Sequence, residues 1–196
     1  MYICLVVEDV LSEYTVRKIL SEVRPDLTVK TVYKNGGFGY IKSNVKRFCK
    51  ASQQIPFVVL ADLDNEICAP SRVLNWLGFI PCTGRFVFRI AVHETESWLM
   101  ADRGSFSDFL GISERLVPKD PDILLDPKEK LLSLVKRSKK RSLKEDILPS
   151  AGKHVTVGPA YNSSLAKYVL EFWNPQRAAG CSASLQKAIR ALESLE

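Results

Sequence analysis

The feature that most restricts the fold is a short apolar segment that runs directly into a group of acids, in the sequence VVLADLDNE (58–66). Four consecutive apolar residues before Asp62 predict a strand that is buried on both faces, as is typical of a parallel sheet. Ligands of open parallel sheets bind just beyond the carboxyl ends of the strands. Asp62 and Asp64 follow this strand two residues apart, so they lie on the same side if the strand continues. The segment predicts an α/β fold with a polar site at one sheet edge.

Other apolar segments and the helical patterns between them extend this prediction. Further strands are expected at 2–7, 27–33 and 86–92, and helices at 10–23, 40–52 and about 70–77. Strands that alternate with helices predict a layered α/β fold, and right-handed crossovers make its sheet largely parallel.

The second half of the chain has a different pattern. Beyond about residue 104 there is little alternation of apolar and polar residues, and amphipathic stretches occupy 127–138, 161–173 and 182–195. These stretches predict helices. We therefore divide the chain into an α/β core, 1–103, and a helical C-terminal region, 104–196, which packs on or beside the core.

Composition narrows the class of protein and of metal site. No stretch approaches the roughly 18 apolar residues of a membrane span, and the first residues do not resemble a secretory signal, so a cytoplasmic protein is expected. The five cysteines are scattered without a Cys-x-x-Cys motif, and only two histidines accompany them. We expect reduced thiols and no structural zinc; a bound metal should be a hard cation with oxygen ligands.

Acidic residues follow three of the predicted strands. Glu8 follows the first strand, Asp62 and Asp64 the third, and Glu94 and Glu96 the fourth. Parallel strands end at one edge of a sheet, so these carboxylates should converge there. Such a cluster is typical of a Mg²⁺ site, in which the cation keeps water and phosphate oxygens as its remaining ligands and supports phosphoryl chemistry. The alternative is that each acid caps a helix or forms a turn.

Basic residues are concentrated between 128 and 144, where eight Lys or Arg accompany one acid, Glu129. Such a segment contacts nucleic-acid phosphates or forms a solvated helix face. The residues that we expect to contact nucleic acid there are Lys136, Arg137, Lys139, Lys140 and Arg141.

A second candidate phosphate contact follows the glycine-rich sequence NGGFGYIKS (35–43). It does not have the spacing of a P-loop, and its glycines predict a tight turn from a strand into a helix. Backbone N–H groups of this turn, together with Lys42, could also contact a nucleic-acid phosphate.

The layout of these residues resembles the TOPRIM domain, which topoisomerases, primases and the overcoming-lysogenization-defect nucleases share. The common elements are a Glu after the first strand, a helix, a second strand with a Gly-Gly turn, and Asp-x-Asp after an apolar strand. The segments VVEDVLSE, LADLDNE, HETESWLMAD, GPAYN, FWNPQRAA and SASLQKAI more closely resemble a small bacterial family of TOPRIM-like proteins, often associated with defence loci. The resemblance touches nearly the whole chain.

The resemblance implies a TOPRIM- or Rossmann-like α/β fold, with about four mostly parallel strands flanked by helices and a helical C-terminal region. It implies a Mg²⁺- or Mn²⁺-dependent nuclease that hydrolyses phosphodiester bonds of DNA or RNA, a role in anti-phage defence, and a separately encoded ATPase partner.

Residue roles also follow from the resemblance. Glu8 becomes the general acid or base and a metal ligand, Asp62 and Asp64 become metal ligands, and Glu94 or Glu96 becomes a further acidic ligand or orients one. One position departs from the TOPRIM pattern, because Asp9 stands where a glycine commonly follows the first glutamate.

Two other functions are compatible with the sequence. CLVVEDV and VVLADLD also look like strands of a phosphorelay receiver domain, with Asp62 as the phospho-acceptor. Against this, His93 and Glu94 stand where a receiver has Ser or Thr, and the later Lys-Pro is missing. The third reading is a catalytically silent TOPRIM-like protein that binds a partner.

Overall fold

A computed structural model describes residues 1–34, 36–64, 66, 68–149 and 155–196. Its central sheet has four strands in the order β2-β1-β3-β4, and every neighbouring pair is parallel. The strands are β1 (Tyr2–Val6), β2 (Thr28–Tyr33), β3 (Phe57–Asp62) and β4 (Phe86–Ala91). Helices flank the sheet, so the α/β class inferred from the sequence is confirmed, and the fold is consistent with a TOPRIM- or Rossmann-like architecture.

The helices of the first half lie between successive strands or, in the case of the last one, directly after β4. They are α1 (Val10–Val23), α2 (Gly37–Ala51), α3 (Ala69–Leu77) and α4 (Thr95–Ala101). Asp9 begins α1, because its side chain accepts a hydrogen bond from Ser12 N at 2.8 Å. Gly36 precedes α2 with φ of 110°, a left-handed conformation that favours glycine. Gly36 therefore lies in the turn before α2, as its sequence predicts, whereas Gly39 lies within the helix and Asn35 is outside the described residues.

The second half is helical, as its amphipathic stretches predict. It contains α5 (Arg103–Leu110), α6 (Pro127–Lys136), α7 (Arg141–Ile147), α8 (Tyr161–Glu171), α9 (Pro175–Ala179) and α10 (Ala183–Glu193), with short 3₁₀ turns at Glu114–Leu116 and Pro121–Ile123. Asp126 and Ser182 cap α6 and α10 by accepting hydrogen bonds from Glu129 N and Leu185 N. Among the described residues, no helix combines the length and apolar composition that a membrane crossing requires.

Two apolar layers cover the two faces of the sheet. On one face, Leu5 and Leu60 pack with α1, α4 and the C-terminal helices. On the other face, Val6 and Val59 pack with α2 and α3. The C-terminal helices thus share one continuous core with the sheet, and this core fixes the position of α4 at the end of β4.

The tryptophans lie in these cores, as their apolar neighbours predict. Trp98 of α4 and Trp173 are fully buried, and Trp173 Nε1 donates a hydrogen bond to Trp98 O at 3.0 Å. Trp98 Nε1 donates to Ser184 Oγ at 2.7 Å. These contacts attach α4 to the C-terminal helices.

One expectation about the cysteines is wrong. Cys49 at the end of α2 and Cys82 before β4 form a disulfide, and Cys4, Cys68 and Cys181 are free. Sequence reasoning missed the pair because its members are 33 residues apart and share no motif. Packing of α2 beside the chain that enters β4 brings their Cα atoms to 5.6 Å, within the range for a disulfide.

Replacing Cys49 and Cys82 by serine is expected to lower the free energy of unfolding by about 3–4 kcal/mol, because the crosslink restricts the unfolded chain. Urea unfolding followed by circular dichroism measures the difference, with Cys181→Ser as the control. Reductant should bring the wild type to the stability of the double variant and leave that variant unchanged. Five titratable thiols in the denatured, unreduced protein would contradict the disulfide.

Candidate active site

The carboxyl ends of β1, β3 and β4 meet at one edge of the sheet, and Asp62 lies at its centre. Asp62 is the last residue of β3, and its Oδ1 accepts hydrogen bonds from Thr95 N and Thr95 Oγ1, both at 2.9 Å. The Thr95 hydroxyl also lies 3.2 Å from Ser12 Oγ of α1. The carboxylate of Asp62 is therefore held at the start of α4 and beside α1.

Burial and like charges both disfavour ionisation of Asp62. Its pKa is raised well above the ordinary value, chiefly by burial and then by the charges of Glu96 and Glu8, although the hydrogen bonds from Thr95 oppose the shift. The site thus brings several carboxylates together where they are partly withdrawn from water.

Glu8 lies two residues beyond β1 and contacts the end of β3. Its Oε1 accepts a hydrogen bond from Asp62 N at 2.9 Å. Burial raises the pKa of Glu8 to about 7, and the charges of Asp64 and Asp9 add to the effect, while the bond from Asp62 N and the charge of Arg72 oppose it. Glu8 can therefore exchange a proton near neutral pH.

Glu96 of α4 is buried and paired with residues from the C-terminal half. Tyr161 Oη donates a hydrogen bond to Glu96 Oε1 at 2.6 Å, and Lys128 Nζ lies 3.7 Å from the same oxygen. Burial and the Glu96 charge raise the pKa of Tyr161, so its hydroxyl keeps its proton and acts as a donor. Helices α6 and α8 thus contribute to the edge formed by the sheet.

Glu94 precedes α4 and contacts the start of α6. Its Oε2 accepts a hydrogen bond from Lys128 N at 2.8 Å. Burial and the charge of Glu96 raise the pKa of Glu94. The pKa of the Lys128 ammonium is also raised, because Glu96, Glu94 and Asp62 together outweigh its burial. Lys128 is therefore a firmly charged cation beside the acids.

Asp64 lies beyond the end of β3, so the two-residue strand period does not relate it to Asp62. It has a left-handed backbone with φ of 49°, and its N–H donates to His93 O at 2.8 Å. Its Oδ2 lies 3.3 Å from Arg72 Nη1. His93 Nδ1 is 2.8 Å from Asp64 O, so His93 has a structural contact in this turn.

Arg72 of α3 contacts the turn that follows β3 on the side that faces α3. Its side chain is 5 % exposed, and Nη1 donates to the backbone carbonyl of Asp62 as well as to Asp64. The guanidinium carbon lies 5.0 Å from the centre of the Trp76 ring. Arg72 thus supplies a buried positive charge on the side of the turn that faces α3.

The described residues do not form a preassembled metal site: no three His, Cys, Asp or Glu side chains among them lie close enough to hold one ion. In Asp62 and Glu8, one carboxylate oxygen accepts hydrogen bonds, and the other accepts none from the described chain. Carboxylate oxygens are the donors that Mg²⁺ and Mn²⁺ prefer. The chemistry of the donors therefore fits a divalent cation.

The predicted nucleic-acid contacts lie on other segments of the chain than the acids. Lys42 is exposed on α2, about one turn from the end that begins near β2. Lys136 ends α6, about 12 Å along the helix from Lys128, given a rise of 1.5 Å per residue. Lys140 Nζ donates to Asp108 O at 3.0 Å and to another carbonyl of α5 at 2.7 Å.

The other basic side chains of that segment are exposed, and one is paired. Arg137 and Lys139 lie in the connection between α6 and α7, and Arg141 forms an ion pair with Glu145 at 2.7 Å. The structure therefore separates the predicted cations into free side chains and side chains with local structural contacts.

Sequence reasoning missed four side chains of this edge: Arg72, Thr95, Lys128 and Tyr161. Arg72 has no acidic residue three or four positions away on its helix, which signals a partner elsewhere in the chain. Lys128 is one of eight basic residues between 128 and 144, and nothing in the sequence distinguishes it from the others. Tyr161 is 65 residues away in sequence from Glu96, the carboxylate that it contacts. Thr95, between two acids at a helix start, offered the best local signal.

The chain matches no protein-family model, and no curated protein matches it. Among solved structures it is similar to the C-terminal region of the Burkholderia pseudomallei OLD protein, with 16% sequence identity and a TM-score of 0.46. The similarity covers 97% of this chain and 96% of that one.

Proposed function

We propose that the protein is a Mg²⁺- or Mn²⁺-dependent nuclease that hydrolyses phosphodiester bonds at the acidic edge of its sheet. The observation that carries this proposal is the half-buried carboxylate of Asp62 at the carboxyl end of β3, held by Thr95 and beside the acids Glu8 and Glu96, which oppose its ionisation. A divalent cation relieves repulsion of this kind, and such cations support phosphoryl chemistry.

Asp62 and Glu8 would supply protein ligands to the cation, whose other ligands would be water and phosphate oxygens, with Asp64, Glu94 and Glu96 around them. When bound, the cation supplies positive charge that activates water and neutralises the scissile phosphate. The oxygens of Asp62 and Glu8 that accept no hydrogen bond from the described chain are the donors available to it.

The chain's own residues would orient the substrate and move the proton. Glu8, whose Oε1 accepts the N–H of Asp62 at 2.9 Å, would take a proton from the attacking water. Lys128 attracts the phosphodiester toward the acids, since its ammonium lies 3.7 Å from Glu96. Tyr161 keeps Glu96 in place through its 2.6 Å hydrogen bond. In this mechanism α8 contributes Tyr161, which positions Glu96, and α6 contributes Lys128, whose charge attracts the substrate.

On the sequence resemblance alone, we extend the proposal to a cytoplasmic TOPRIM-type nuclease of an anti-phage defence system. A separately encoded ATPase would be its partner, and activity would then require both proteins.

Replacing Asp62 and Asp64 by asparagine is expected to abolish binding of Mn²⁺, because the variant loses two carboxylates of the acidic edge. Isothermal titration with Mn²⁺ measures binding without reference to activity. Cleavage of plasmid DNA and of RNA in Mn²⁺ or Mg²⁺ measures the reaction, which should fall to background.

Asp108→Asn is the control for this change, because it removes an exposed carboxylate of α5. Equal Mn²⁺ binding by the wild type and the double variant would overturn the site. Normal binding without cleavage of either substrate by the wild type would leave a metal site but overturn nuclease activity of the chain alone.

Glu8 should make stability depend on pH in the absence of a divalent cation. The pKa of Glu8 is about 7 in the folded protein, against an ordinary value of 4.5 for a glutamate, so the folded state binds the proton more tightly. Its contribution to stability is present below about pH 4.5 and is lost as pH rises through 7. Relative to Glu8→Gln, the wild type should lose on the order of 1 kcal/mol across this range, since partial solvation reduces the full effect.

Urea unfolding in EDTA at pH 4.5 to 8 measures this difference. Glu171→Gln, which removes an exposed carboxylate at the far end of α8, is the control. A constant difference in unfolding free energy between wild type and Glu8→Gln would refute the raised pKa.

We also propose that Lys42 and the basic segment contact the nucleic-acid backbone. Within the segment, Lys136, Arg137 and Lys139 are the cations that make no ion pair with a described residue, whereas Lys140 and Arg141 have the local contacts given above. The free cations are therefore the ones expected to release counterions from a bound duplex.

Replacing Lys136, Arg137 and Lys139 by glutamine should reduce the slope of log affinity against log salt by up to about three units, at roughly 0.9 per phosphate contact. Fluorescence anisotropy with labelled duplex DNA in EDTA, between 50 and 200 mM salt as is usual for such binding, measures the slope. Lys18→Gln, Lys30→Gln and Lys50→Gln combined form a control of equal charge. An unchanged slope would show that the segment is a solvated surface.

A further inference from the structure

On the outer side of β4, backbone N–H and C=O groups make no hydrogen bond with another described strand. Phe57 N donates to Arg85 O, and Leu63 N donates to Ala91 O. The backbone N–H and C=O groups of the odd-numbered residues of β4 therefore point toward β3. Backbone groups alternate along a strand, and those of Phe88 and Ile90 therefore face outward. Neither residue forms a backbone hydrogen bond with the described chain on that side. Strand β4 is thus an open edge of the sheet.

A groove runs along this edge between α3 and α10. One cavity of about 540 Å³ is lined by Val73 and Leu77 of α3, Phe88 and Ile90 of β4, and Ser184 of α10. A second cavity of about 320 Å³ shares the lining of α3 and Phe88 and continues toward the start of β4. Together they follow roughly 20 Å of strand, at about 3.3 Å per residue.

The charged residues that line the larger cavity are two cations and one acid. Arg89 and Lys187 line the larger cavity, are exposed, and form no ion pair with a described residue. The acid in the same lining, Asp122, already accepts hydrogen bonds from Ser184 N at 2.9 Å and from two serine hydroxyls. At the other end, Glu196 N donates to Gly84 O at 3.2 Å, which places a second acid there. The middle of the groove therefore carries two unpaired cations.

We propose that this groove binds an extended, acidic peptide segment of a partner protein, which joins the sheet as a fifth strand beside β4. The outward N–H and C=O groups of Phe88 and Ile90 would pair with the peptide backbone, as in other cases of strand addition. Alternate apolar side chains of the peptide would enter the cavity against α3. An acidic side chain between them would pair with Arg89 and Lys187.

A second copy of the chain is a poorer occupant than such a peptide. Two β4 strands paired antiparallel about a two-fold axis through Arg89 would place the two Arg89 side chains directly opposite each other. Like charges in that position destabilise a strand pair. Charge complementarity therefore favours an acidic partner, which the chain's own β4 does not provide.

The test begins with a displayed library of random twelve-residue peptides, selected against the full chain. We expect enrichment of sequences in which apolar residues alternate and at least one Asp or Glu lies between them. A selected peptide, made synthetically with a fluorescent label, should then slow amide hydrogen exchange at Phe88 and Ile90 by about tenfold or more.

Charge reversal tests the cationic part of the groove. Arg89→Glu with Lys187→Glu should weaken binding of the selected peptide by about tenfold or more, since each reversal replaces an attraction by a repulsion. Lys30→Glu with Lys50→Glu is the matched control, with the same change of net charge on the opposite edge strand and on α2. Unfolding curves of both variants confirm that the fold is retained.

Three results would overturn the proposal. An absence of enriched peptides would show that the cations only protect an exposed edge from aggregation. Peptides that bind the charge-reversed chain equally well, or protect other amides, would place the binding surface elsewhere. A dimer in sedimentation experiments that Arg89→Glu stabilises would identify the second copy as the occupant.

Discussion

The acidic edge depends on the hydrogen bonds that Thr95 donates to the half-buried carboxylate of Asp62. Withdrawing a carboxylate from water is unfavourable unless it is hydrogen-bonded, so this contact fixes the end of β3 against the start of α4. Glu8 in turn accepts the N–H of Asp62, which connects the end of β1 to the same residue. Three elements thus meet through one side chain and its own backbone.

The fold could be inferred from sequence because its signals are local and repeated. The four apolar segments and the helices between them lie where their periodicity places them, and Trp98 and Trp173 are buried as their neighbours indicate. The acids at the strand ends could also be found, since a parallel sheet directs all its carboxyl ends to one edge. Because helices and strands are regular, the spacing of residues in the sequence is enough to place them, and no side-chain contact needs to be known.

The partners of those acids could not be inferred in the same way. Tyr161 contacts Glu96 from a helix that begins far along the chain, and no periodicity relates them. The strand period also failed at Asp64, because the chain turns immediately after Asp62. The pairing of Cys49 with Cys82 likewise arises from packing between two segments. In each case a tertiary contact decides the outcome, and only the assembled core determines which residues meet.

The complete burial of α4 has a consequence for how the edge can respond to a ligand. Every residue of this helix, from Thr95 to Ala101, is buried, and Trp98 connects it to α10 and to the segment between α8 and α9. A segment packed on all sides opens only with the core as a whole, so its backbone is a fixed support and not a hinge. Any adjustment around a substrate must therefore come from side-chain rotation or from the chain outside α4. The positions of the residues that α4 holds at this edge therefore depend on the stability of the whole core.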